Sequence, residues 1–121
     1  METRSATNSL ISAGRVQGTS VFNTSGESLG SINDVMIDKR SGKIAYAVMS
    51  FGGFLGMGER YHPLPWASLK YDTTQGGYVV GVTKAQLEKA PTVGRDETPD
   101  WSDRAYEARL HDYYGIPPYW G

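Results

Sequence analysis

The side chains with chemical potential in this chain are His62 and His111, the carboxylates Asp34 and Asp38, and a glycine-rich loop from Gly52 to Gly58. Neither histidine has a second one at metal-ligand or helix-face spacing, so each reads first as a structural imidazole. His62 precedes Pro63 in an extended stretch and is expected to cap or hydrogen-bond the edge of a barrel. His111 is expected in a polar helix near its C-terminal end, where a cation is favoured. Asp34 and Asp38 lie four residues apart on one strand, roughly 13 Å at the usual rise, which is too far to share a proton. Aspartates at strand ends commonly cap turns.

The loop Gly52, Gly53, Phe54, Leu55, Gly56, Met57, Gly58 has the glycine spacing of a phosphate cradle between Gly53 and Gly58. Glu59 and Arg60 then stand where a lysine and a serine or threonine would be needed. A carboxylate repels phosphate, and the following YHPLPW cannot open a helix aimed at an anion. Asn23-Thr24-Ser25 has the pattern of a glycosylation acceptor, yet no secretion signal precedes it and it reads as a turn.

The elements that hold these residues are short strands between glycine turns. Arg15 to Phe22 reads as a first strand closed by Asn23, Ser25 and Gly26. Leu29 to Asp38 reads as a second, with Val35 and Ile37 on one face. Ile32 falls out of that alternation unless one extra residue is accommodated near Asn33, which predicts a β-bulge there. Lys39, Arg40, Ser41 and Gly42 form a hairpin turn with glycine in left-handed geometry. In the third strand, Lys43 to Phe51, Ile44, Tyr46 and Val48 alternate with Ala45, Ala47, Met49 and Phe51. Both faces are apolar, so both need cover.

In order, NTSGESLG, the aspartate of INDVMID, the SGKIAYAV hairpin, the FGGFLGMGE loop and HPLPWASL resemble the PRC-barrel family over roughly Gly14 to Ala90. That family takes its name from the cytoplasmic barrel of the photosynthetic reaction-centre H subunit and includes the C-terminal half of a ribosome maturation factor. The resemblance implies an all-β fold: a small, strongly bent antiparallel β-barrel. It also implies docking roles in large complexes.

Composition agrees independently. With 121 residues, 39% of them apolar and 12% aromatic, the chain fills one modest core, and its 15 glycines and 6 prolines suit many turns. Without cysteine there is no disulfide frame or thiolate metal site. The N-terminus lacks the apolar core of a signal peptide, which points to a cytoplasmic protein. The longest apolar run, Ile44 to Gly58, is too short and glycine-rich to span a membrane. A net charge of −1 with dispersed basic residues disfavours nucleic acid as a partner.

Beyond the barrel, Thr83 and Gln86 form a capping box opening a short helix through Ala90, which Pro91 stops. Residues 91–100 read as a polar linker. Ser102 is expected to cap a helix through Tyr114, ended by Gly115, with Tyr106, Leu110, Tyr113 and Tyr114 near one face. Trp101 and Trp120 also lie in this tail, and disordered tails are poor in such residues. The expected organisation is a flexible N-terminus (1–13), a barrel (14–90), a linker (91–100) and an aromatic tail (101–121) docked on its own barrel or a twin subunit.

The sequence therefore reads as a non-enzymatic docking and assembly module with no catalytic residue, metal or cofactor. Its expected partners are a second copy of itself, as a homodimer, and a larger assembly. The expected contact surface is Met49, Phe51, Phe54, Leu55 and Met57; Tyr46, Val48, Trp66, Trp101, Leu110 and Trp120 are expected anchors. A ribosome- or RNA-linked maturation factor is the alternative, and a small-ligand binder using Tyr61, His62 or Asp34 the second.

Overall fold

The structure, a computed structural model, describes residues 10–51, 60–94 and 99–120. Its centre is the hairpin of β2 (Ser28–Ile37) and β3 (Ile44–Phe51). The register passes from Ile32 opposite Met49 to Asp34 opposite Val48, leaving Asn33 as the extra residue of a bulge at the position the alternation demanded. The bulge turns Ile32 into the core, where it is almost fully buried. At the hairpin tip Gly42 adopts φ 78° and its N–H reaches the Asp38 carbonyl at 2.8 Å. The Asp38 carboxylate accepts the Ser41 hydroxyl at 2.7 Å, a bond that holds it below the usual carboxylate range.

Around this hairpin lie β1 (Ser20–Phe22), β4 (Arg60–Pro65), β5 (Leu69–Asp72), β6 (Gly77–Val80) and β7 (Val93–Gly94), in the order β5-β6-β1-β2-β3-β4-β7. Val21, Ile32, Met49, Leu64, Leu69 and Val80, from six of these strands, all belong to one buried cluster. Strands from β4 at one side to β5 at the other can share an interior only if the sheet curls round it. The all-β, strongly bent barrel is the observed architecture, with one departure from the antiparallel expectation: β1 and β6 pair in parallel.

The first strand is shorter than the sequence suggested. Ala13–Val16 is a single helical turn, α1, and the strand starts only at Ser20. Gly18, at φ 86°, breaks the extended run, and its N–H bonds to the Ile32 carbonyl at 2.7 Å. Val16 drops into the core as a plug.

Two helices complete the chain. In α2 (Lys84–Glu88), the Thr83 side chain accepts from the Gln86 N–H and the Gln86 side chain accepts from the Thr83 N–H, the full capping box. The cap of α3 (Arg104–Tyr114) is Asp103 rather than Ser102: its carboxylate accepts from the N–H groups of Ala105 and Tyr106. Ser102 bonds instead to Asp100. Gly115, left-handed at φ 67°, closes the helix. The Tyr113 hydroxyl donates to the Gln86 carbonyl and ties α3 to the end of α2. No described helix is long and apolar enough to cross a membrane.

Candidate functional site

The strand whose two faces are both apolar decides where the chemistry gathers. On one face of β3, Ala47 and Met49 are wholly buried in the barrel cluster. Met49, expected at a contact surface, has no surface to offer, because the curl of the sheet encloses its face. On the other face Tyr46, 1% exposed, lies under α3 with Leu110, and Met36, Trp101 and Tyr106 pack round them. Val48, next along that outer face, is also buried.

Tyr46 is the hub of this junction. Its hydroxyl donates to Glu107 Oε1 at 2.8 Å and lies 2.8 Å from His111 Nε2. The Tyr119 hydroxyl donates to the same Glu107 oxygen at 3.0 Å, and Arg104 approaches the other at 3.8 Å. His111 Nδ1 is 3.1 Å from the Ile116 carbonyl, which can only accept, so Nδ1 carries the hydrogen. Trp101 stacks on the Tyr46 ring with centroids 4.8 Å apart, and Tyr119 meets its edge at 5.8 Å.

These surroundings shift the protonation of such side chains from what it is in water. Burial, reinforced by the bond to Glu107, pushes the Tyr46 phenol well above its ordinary range. Burial also pushes the His111 imidazole down, against the opposing pull of the Ile116 carbonyl and of Glu107 and Asp112. Glu107 is buried to 3% exposure, and its carboxyl oxygens are taken up by two tyrosines and an arginine of the same chain. The arrangement clasps a helix to a barrel.

The other candidates are also turned inward or to local backbone. His62, 2% exposed on β4, sets Nε2 2.9 Å from the Leu87 carbonyl and meets the Phe51 ring edge-on at 5.3 Å. Desolvation lowers its pKa. Asp34 accepts the Val35 N–H at 2.8 Å. Among the described residues no group of three or more His, Cys, Asp or Glu side chains could hold a metal. A groove of about 400 Å³ runs beside β5 and β6, lined mainly by Ala67, Lys70, Val79, Val82, Tyr114 and Ile116. It includes none of Tyr61, His62 or Asp34.

Of the expected anchors, Leu110 is fully buried, Trp101 is half-buried on Tyr46, and Trp66 is half-buried against Tyr78 at 5.2 Å. Trp120 differs: it is 38% exposed, with the Arg104 guanidinium 3.9 Å above its ring. Phe51 is half-buried on His62, and Phe54, Leu55 and Met57 lie outside the described residues. Sequence reading missed Glu107 and overlooked His111 as a buried residue rather than a cation at a helix end. The signal was present, since both flank Leu110 on one helical stripe at i, i+3 and i+4.

A small curled barrel carrying a short capped helix defines the class of fold, and the family model of the PRC-barrel domain matches residues 9–87. The chain belongs to the PRC-barrel family. Among solved structures it is similar to a protein described as the 16S ribosomal RNA processing protein RimM of Pseudomonas aeruginosa, with 18% identity and a TM-score of 0.42. That match covers 66% of this chain and 48% of the other, so the chain spans about half the length of that relative. No match was found among curated proteins.

Proposed function

We propose that this chain is a non-enzymatic docking module of the PRC-barrel type, whose α3 end offers a contact surface to a partner protein. The observation that carries this reading is the cluster of Tyr119, Trp120 and Arg104. The two rings are 5.1 Å apart and remain 45% and 38% exposed, and Arg104 lies over Trp120. Isolated exposed apolar residues are ordinary on any surface. An aromatic pair in contact with an arginine, held on a helix seated by buried hydrogen bonds, has the composition and rigidity of an interface hot spot.

The Glu107 carboxylate is taken up by Tyr46, Tyr119 and Arg104 of the same chain, which supports recognition over catalysis as the role of this face. The test is a pull-down from the native host with mass spectrometry, comparing the wild type with Tyr119→Ala/Trp120→Ala. Proteins retained by the wild type and lost from the folded variant are expected. Equal recovery by both overturns the assignment of this surface.

A further inference from the structure

Strand β5 ends the sheet: it pairs with β6 and, among the described residues, has no strand on its other side. The Leu69 N–H turns back to the Trp66 carbonyl, while the Asp72 carbonyl takes the Gly76 N–H across the β5–β6 turn. Lys70 and Asp72 therefore aim their backbone groups at β6, and Leu69 and Tyr71 aim theirs at the open side. Tyr71 is 49% exposed. Lys70 is exposed on the opposite face, and among the described residues it has no ion pair.

We propose that β5 pairs antiparallel with β5 of a second copy of this chain about a twofold axis that sets Tyr71 opposite the partner's Tyr71. In that register the two tyrosines exchange both backbone hydrogen bonds, since theirs are the groups that face outward. Residues directly opposite share a face, so Lys70 meets the partner's Asp72 and Asp72 meets the partner's Lys70. The charges are self-complementary, as an isologous interface requires. Moving the axis by one residue to Lys70 would oppose two lysines on one face and turn inward-bonded backbone groups to the partner.

A lysine on a short edge strand ordinarily guards against pairing. Asp72, two residues on, makes that guard selective, because it admits the one register that neutralises it. The Asp72 carboxylate also accepts from Thr74 and Gln75 within its turn, bonds that hold it ionised. The strand is four residues long, so the dimer is weak and forms at high protein concentration. This self-pairing uses a surface separate from the aromatic end and does not depend on it.

The experiment is sedimentation velocity at rising concentration up to the millimolar range. The wild type is expected to self-associate, and Lys70→Glu and Asp72→Lys each to stay monomeric alone. Mixed, these two variants place opposite charges across both contacts and should recover the dimer. Because Asp72 also holds the turn, a second pair of variants keeps the test independent of its folding. The chain has no cysteine, so Tyr71→Cys introduces a single thiol facing its own copy at a Cα separation of about 5.5 Å, within disulfide reach. Tyr71→Cys should cross-link under mild oxidation several-fold more than Lys70→Cys. A wild type that is monomeric throughout, or equal cross-linking of the two cysteine variants, overturns the proposal.

Discussion

Tyr46 and Glu107 are 61 positions apart in the chain and joined by a 2.8 Å hydrogen bond with neither side chain open to solvent. The bond links the outer face of the central strand to the terminal helix. A carboxylate taken out of water at this depth is tolerable only because Tyr46, Tyr119 and Arg104 surround it.

Tyr46→Phe removes the hub while keeping the ring that Trp101 stacks on. Glu107 loses a hydrogen-bond donor while still buried, and the expected cost is about 1–3 kcal/mol. Calorimetric melting and limited proteolysis should show a lower Tm and earlier cleavage within the tail. A variant that melts with the wild type and resists protease equally would show that the bond contributes nothing net.

Gly30 is required by close approach rather than by backbone angle. A Cβ there would lie 1.9 Å from the Ser50 carbonyl oxygen on the paired strand, which cannot move without parting the β2–β3 ladder. Gly30→Ala should cost roughly 3 kcal/mol or more by denaturant titration. Gly81→Ala, with nothing within 4 Å, is the control and should fall within about 0.5 kcal/mol of wild type. Similar losses at both positions would defeat the steric account.

His62 should make the protein acid-sensitive above the range where carboxylates titrate. Desolvation sets its folded pKa below the ordinary value near 6.5. Between the folded and unfolded pKa values the unfolded chain holds the extra proton, so stability rises with pH. The contribution is complete above about pH 6.5 and declines as pH falls below it. His111 is shifted in the same direction and adds to the slope. His62→Gln keeps an N–H donor for the Leu87 carbonyl without a titrating ring. Tm should fall less between pH 7 and 5 in the variant than in the wild type; an unchanged slope would assign the sensitivity elsewhere.

What was legible in the sequence was local. The bulge at Asn33 follows from Ile32 being out of phase with Val35 and Ile37. The Gly42 turn and the Thr83–Gln86 box are written within a few residues of where they act. The missed features depend on distant partners. Gly18 ends the first helical turn because the Ile32 carbonyl receives its N–H, and β1 lies parallel to β6 because the sheet curls. Met49 faces the interior for the same reason. The polarity of Glu107 and His111 hid their burial, since it is Tyr46, far upstream, that makes the buried carboxylate acceptable, and the Ile116 carbonyl beyond the helix end that receives the imidazole N–H.

The last prediction separates barrel from tail. Deleting residues 99–121 removes α3 and the aromatic residues around it but leaves the barrel cluster, to which, among the described residues of the tail, Tyr114 alone contributes as a partly buried neighbour. The surface that α3 covers includes Tyr46, Ala45 and Met36 and part of β4. The shortened chain should keep its strand-type circular dichroism and bind a hydrophobic dye or aggregate, because an uncovered apolar face on a small barrel seeks cover. Adding Tyr46→Ser to the deletion should reduce the dye signal, placing the exposed patch on β3. A shortened chain that is soluble, dye-silent and as stable as the full one would mean that the tail adds no cover to the barrel. An unfolded one would mean that the helix is part of the core rather than a clasp upon it.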